Sequence, residues 1–236
     1  MIYEKLALEL MDENIEQKAC LLAMQFALKK NDLNWAPDVD LAKFECARTN
    51  QAGNLEYLDL SKKIENLDLA EMRPCLSMAL KRLHLHSNIG VKGDIQALEC
   101  CRGLAEVELY LTSVSGNISV FGEASNLTKL NLYSSRVIGS INSLSKLRKL
   151  QFLDVGYTSV RGSIMALAPN TGLEVLTVVN TQISGNTEAL QECLPNCFIA
   201  ASRDRSGLEY GRCRSQSLGT SPTNIKSTTD AWGSSK

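Results

Sequence analysis

His84 and His86 are the only histidines in the chain, and they stand two residues apart. On an extended strand that spacing turns both imidazoles to one side. Glu106 and Glu108 repeat the same spacing further along. Two imidazoles and a carboxylate form a ligand set for zinc, which would activate a bound water. A metal-dependent enzyme at His84 and His86 is therefore one reading. The other is a polar patch whose charge follows pH, with His84 beside Asp59 and Glu108. Two histidines leave few options for an imidazole-based triad. The sequence holds no Gly-x-Ser-x-Gly and no phosphate-cradling glycine loop. The expectation is a protein that is not an enzyme and carries neither metal nor cofactor.

Sulfur chemistry is the second possibility. The cysteines, Cys20, Cys46, Cys75, Cys100, Cys101, Cys193, Cys197 and Cys213, are scattered without a CxxC pair. A disulfide framework or a zinc cage calls for tighter, recurring spacing. They read as reduced, mostly buried thiols, and Cys193 and Cys197 would pair only in an oxidising compartment. The first residues lack a basic segment followed by an apolar run and soon meet Glu9, Asp12, Glu13 and Glu16. They do not read as a secretory signal, so a cytoplasmic location is expected. Two glycosylation triplets, at Asn117-Ile118-Ser119 and Asn126-Leu127-Thr128, keep an extracellular alternative open.

Recognition is the third. It needs aromatic and charged groups gathered on one surface, and the candidates are Tyr110, Tyr133, Phe152, Tyr157, Glu106, Glu108, Lys129, Asp154, His84 and His86. Whether they share a surface depends on the elements that hold them. The fragment Val-x-Gly-x-Ile occurs at Val91, Val114, Val137 and Val160, and in weakened form at Ile183; each step is 23 residues. A second apolar position, Leu98, Phe121, Leu144, Leu167 and Leu190, keeps the same period. Ahead of each fragment stands L-x-x-L-x-L: Leu80-Leu83-Leu85, Leu104-Val107-Leu109, Leu127-Leu130-Leu132, Leu150-Leu153-Val155 and Leu173-Leu176-Val178. The first of these implies an insertion in Asn88-Ile89-Gly90. A looser copy begins at Leu55-Leu58-Leu60, although Ile64-Leu67-Leu69 could hold that strand instead.

On these residues the chain resembles the leucine-rich-repeat family, over about 55–201. The Gly-x-Ile half is similar to the plant-type subclass, with Gln96, Ser119, Asn142 and Met165 where that subclass usually has proline. The resemblance implies an α/β solenoid: a curved parallel β-sheet on the concave side, with neighbouring coils sharing one leucine core. The ninth repeat position, Asn88, Thr112, Ser135, Thr158 and Thr181, would bond backbone groups at the bend. A threonine array also raises ice binding, but this position is expected to face the core.

Residues between and just after the inward leucines then form columns on the concave face. Tyr57, Arg82, Glu106, Lys129, Phe152 and Val175 make the first, and Asp59, His84, Glu108, Asn131, Asp154 and Thr177 the second. The third is Ser61, His86, Tyr110, Tyr133, Gly156 and Val179, which would set the Tyr110 and Tyr133 rings side by side. Such an aromatic group with charged neighbours is what interface centres tend to hold.

Solenoid ends need caps. Residues 1–52 are expected to be a helical N-terminal cap, with one amphipathic helix carrying Leu8, Met11, Ile15, Leu22 and Phe26 and a second running from Asp38 through Arg48. Residues 53–201 are the solenoid. Residues 202–236, rich in Ser, Thr, Gly and Arg, are expected to be a flexible tail. A net charge of -1 gives no pull toward nucleic acid or an anionic membrane. The expected protein is a monomeric, non-enzymatic module that binds another protein on its concave face. The alternative is a secreted or receptor-type ligand-binding fragment.

Overall fold

The computed structural model describes residues 47–51 and 54–201. Its strands, in chain order, are β1 (Ala47–Thr49), β2 (Leu55–Asp59), β3 (Leu67–Asp68), β4 (Arg82–His84), β5 (Asn88–Asp94), β6 (Glu106–Glu108) and β7 (Thr112–Asn117). They continue with β8 (Lys129–Asn131), β9 (Arg136–Ser140), β10 (Phe152–Asp154), β11 (Ser159–Ser163), β12 (Val175–Thr177), β13 (Gln182–Ser184) and β14 (Phe198–Ala200). The one α-helix among the described residues is α1 (Thr187–Cys193).

Two sheets wind around one core. The first runs β1-β2-β4-β6-β8-β10-β12-β14 and the second β3-β5-β7-β9-β11-β13. L-x-x-L-x-L supplies the first sheet. Leu58, Leu83, Val107, Leu130, Leu153 and Leu176 are all fully buried on matching rungs. Val-x-Gly-x-Ile supplies the second, with Val91, Val114, Val137, Val160 and Ile183 also fully buried. All of these side chains belong to a single apolar cluster. The chain is therefore a leucine-rich-repeat solenoid. Its second sheet is an addition to the single sheet that the repeat pattern predicts.

After β3, β5, β7, β9 and β11 a short 3₁₀ turn carries the convex-side apolar residue, as in Ile141–Leu144, and after β13 the helix α1 carries it. In all of these 3₁₀ turns but Ile164–Leu167, the side chain just ahead of the turn caps its first N–H groups. Asp94 accepts from Gln96 N–H at 2.8 Å, and Asn117 from Ser119 N–H at 3.0 Å. The repeat glycine makes room for this cap on the neighbouring coil. Gly139 has φ +109°, and a Cβ there would lie 2.2 Å from Asn117 Oδ1. Its absence of a side chain thus meets both a left-handed backbone and a close approach.

At the ninth position the side chains point inward. Asn88 Nδ2 donates to the Leu60 and Leu85 carbonyls, and its Oδ1 accepts from Ile64 N–H. Thr112, Ser135, Thr158 and Thr181 donate to Leu109, Leu132, Val155 and Val178 carbonyls. These threonines offer no outward array for ice.

The first coil is settled by the geometry. Leu55–Asp59 is the concave strand, while Leu67–Asp68 belongs to the second sheet. Both apolar runs therefore lie in the core. The insertion falls where the pattern places it: the β5/β7 register shifts between Asn88 and Lys92. One correction concerns the second helix expected through Arg48. Ala47–Thr49 is a strand antiparallel to β2, with Ala47 opposite Leu58. Its backbone pairs with the N-terminal edge of the sheet, a tertiary demand that a helical pattern cannot register. The rest of the expected cap, over residues 1–46, and the tail expected over 202–236 lie outside the described residues.

Candidate functional site

The face of the first sheet that points away from the core is where the columns meet. Backbone register aligns Tyr57, Arg82, Glu106, Lys129, Phe152, Val175 and Phe198, and beside them Asp59, His84, Glu108, Asn131, Asp154, Thr177 and Ala200. Every candidate named from the sequence except Tyr157 stands in these columns or in the one that follows them. Tyr157 sits at the rim, half-exposed, with φ +54°.

The N-terminal half of the face is a charge-paired network. Arg82 Nε lies 3.0 Å from Glu106 Oε1, and Lys129 is ion-paired with Glu108. His84 sits between two carboxylates, with Nδ1 3.9 Å from Asp59 and Nε2 3.5 Å from Glu106. His86 Nε2 is 3.6 Å from Glu108. His84 stands opposite Glu108 in the backbone register, as expected, but its imidazole turns diagonally to Glu106. The two imidazoles turn to separate acids, so they do not converge on one point. Among the described residues no group of three His, Cys, Asp or Glu side chains is placed to hold a metal ion. The zinc reading therefore loses its geometric basis.

Burial sets the titration of these groups. It depresses the pKa of His86 against the opposing pull of Glu108. It raises that of Tyr110, with Glu108 adding to the effect. For Asp59 burial works against ionisation, but hydrogen bonds from the Ser61 hydroxyl and N–H, the nearby His84 and the Tyr57 hydroxyl outweigh it, and the pKa falls below the ordinary carboxylate value.

The aromatic row divides into pairs. Tyr110 stacks on His86, centroids 4.3 Å apart and planes 9° apart, while Tyr133 meets Tyr157 edge-on at 5.3 Å. The expected Tyr110–Tyr133 pairing gives way to these contacts, because matching backbone positions do not fix the rotamers. Lys129 Nζ lies 5.5 Å from the centre of the Phe152 ring, within cation–π range.

The C-terminal half differs in character. Asp154 is half-buried, and its pKa is pushed up to about 6 by burial. Phe152, Val175, Val179 and the exposed Phe198 surround this half with apolar surface. A further feature escaped the sequence reading. An open cleft of about 540 Å³ lies along the corner between the sheets, lined by Ser87, Ile89, Leu111, Ser134, Arg136 and Tyr157 among others. Ile89 is 81% exposed. Its place in the inserted segment was the available signal.

No protein-family model and no curated protein matches the chain. Solved structures do. The Arabidopsis receptor kinase HAESA, solved with the peptide hormone IDA and the co-receptor SERK1, is 18% identical. Its TM-score is 0.62, covering 80% of this chain and 33% of that one. The Arabidopsis thaliana BIR2 ectodomain is 18% identical at TM-score 0.53, covering 86% of this chain and 98% of that one. A plant ice-binding protein is 17% identical at TM-score 0.55, covering 80% and 78%. The chain spans a third or less of the longer receptor chains it matches. At this identity the likeness speaks for the fold, which serves unrelated functions.

The cytoplasmic location expected from the sequence is overturned by the receptor structures, which are ectodomains, the parts of receptors outside the cell. That expectation rested on first residues that do not read as a secretory signal. Cys101 and Cys197 are buried core filler, and burial of that kind carries no mark of a compartment. The shared rungs, the common core and these structural neighbours give the chain the leucine-rich-repeat solenoid fold, built on coils of 23 residues.

Proposed function

We propose that this protein is a non-enzymatic recognition module that binds another protein across its concave face. The observation that carries the proposal is the face itself. Aromatic and charged side chains lie in register over successive strands, and no described segment of the chain covers them. Parallel sheets normally bury both faces. A sheet left open over this length, with a row of aromatics on it, is built to be covered by something else. The charge-paired half would set orientation and the apolar half would supply burial.

A receptor-type, extracellular setting is the second reading. Asn117 and Asn126 are both exposed, so their glycosylation triplets are accessible. HAESA, of the same fold, was solved with a peptide hormone on it. Expression through a secretory pathway, followed by glycosidase treatment and intact mass measurement, tests this reading. Glycan on either asparagine supports it, and an unmodified secreted chain counts against it.

The binding proposal is tested by selecting displayed nonapeptides on the full chain and measuring them against Tyr110→Ala/Tyr133→Ala. Peptides that lose the double variant identify the face as the binding surface. Peptides that bind both proteins equally reject it.

A further inference from the structure

The acids of the concave face differ in one respect. Glu106 has Arg82 and His84, Glu108 has Lys129 and His86, and Asp59 has His84, Ser61 and Tyr57. Asp154 has no cation among the described residues. Its Oδ1 accepts one hydrogen bond, from Gly156 N–H at 2.9 Å, and its other oxygen accepts none there. The side chains facing it across the rungs are Asn131 on β8 and Thr177 on β12, both uncharged. Lys129, the one cation on β8, is held by Glu108 instead. On β10 itself the neighbour in the first column is Phe152.

Gly156 shapes the surroundings. A Cβ there would lie 3.1 Å from the Tyr133 ring, 3.2 Å from Asp154 Oδ1 and 3.4 Å from the Thr177 methyl. With no side chain at 156, a ring, a methyl and a carboxylate close together over the strand, and Tyr157 extends the aromatic wall to the rim. A half-buried carboxylate without a counter-charge is costly to keep ionised, and an incoming cation relieves that cost. Aromatic rings beside it favour the same occupant.

We infer that Asp154 is the anchor for a basic side chain, lysine or arginine, carried by an extended peptide segment laid across the concave face. The inference rests on the binding function proposed above and names the chemistry that function requires of its partner. A cation bound there restores Asp154 to full ionisation, so affinity rises with pH as the carboxylate loses its proton. Arg82 and Lys129 do not compete for the site, since Glu106 and Glu108 occupy them.

The test uses a library of displayed nonapeptides selected separately on the full chain and on Asp154→Asn. Thermal melting first establishes that both proteins are folded. Peptides from the wild type are expected to carry lysine or arginine at one fixed position and to bind Asp154→Asn at least about tenfold more weakly. Replacing that basic residue by glutamine should cost the same factor on the wild type and nothing further on the variant. Wild-type affinity should also fall about tenfold from pH 7.5 to pH 5. Peptides without a basic preference that still lose affinity on Tyr110→Ala/Tyr133→Ala would overturn the Asp154 assignment and leave the binding face standing. Failure to enrich any peptide over that double variant would overturn both.

Discussion

The backbone N–H of Gly156 donates to Asp154 Oδ1 at 2.9 Å, and this is the only hydrogen bond given to that carboxylate by the described residues. The group is thus held in place but left without a charge partner among the described residues, on a face where Glu106 is paired with Arg82 and Glu108 with Lys129. Its pKa of about 6 exceeds the ordinary value of 3.8, so between those values the folded state binds more protons than the unfolded state. Stability then declines as pH rises through that window.

Asp154→Asn keeps the oxygen that Gly156 bonds and removes the charge. The variant should melt higher than the wild type above pH 6 and converge with it below about pH 4. A gain of about 1–2 kcal/mol at pH 7.5 is expected, allowing for partial solvent screening of a carboxylate whose pKa is raised from 3.8 to about 6. Denaturant melts of both proteins across pH 4 to 8 would measure this, and a variant no more stable than wild type at pH 7.5 would refute it.

His86 titrates in the opposite sense. Burial holds its folded pKa below 6.5, so the unfolded state takes up the proton first as pH falls. Stability from this group is present above pH 6.5 and drains away below it. His86→Gln should flatten the loss below pH 6.5, at the cost of the stacked contact with Tyr110. The same pH series of melts reads this out; an unchanged slope would show that other groups carry it.

The shared core predicts a large cost for any inward leucine. Leu130 is fully buried on β8, and Leu130→Ala should lose about 2–5 kcal/mol by transfer and cavity terms together. Chemical denaturation at neutral pH checks this directly, and a loss under about 1 kcal/mol would mean that the inward assignment is misplaced.

Two glycines give a contrast that composition does not. Gly139→Ala would combine φ +109° with a Cβ 2.2 Å from Asn117 Oδ1, and should cost about 1–3 kcal/mol or more. At Gly172 the nearest atom to an added Cβ is the Arg148 carbonyl oxygen at 3.5 Å, an ordinary contact. Gly172→Ala should be close to neutral. Equal melting points for the two variants would break the link between the repeat glycine and the capping asparagine.

Periodicity made the solenoid legible because one residue type must fill one place in every coil. Leu83, Val107 and Leu130 keep their 23- or 24-residue steps since each stacks on the last. The columns followed, and backbone pairing confirms their registers. What sequence could not supply is the choice each side chain makes within a column. His84 reaches Glu106 and not Glu108, and Tyr110 turns to His86 and not Tyr133. Those choices belong to rotamers and local charge, which a repeat leaves free. Arg48 shows the other limit: its strand exists because the β2 edge needs a partner, and no local pattern announces that. The isolation of Asp154 emerged only when the cations around it were seen to be engaged elsewhere.

The central claim, that the open sheet is the binding surface, is tested most directly by calorimetry with one selected peptide. The wild type is compared with Tyr110→Ala/Tyr133→Ala and with Arg161→Ala, an exposed change on β11 of the second sheet. The structure predicts at least tenfold weaker binding to the double variant and unchanged binding to Arg161→Ala, with all three proteins folded. Loss of affinity on Arg161→Ala, with the double variant binding like wild type, would contradict it.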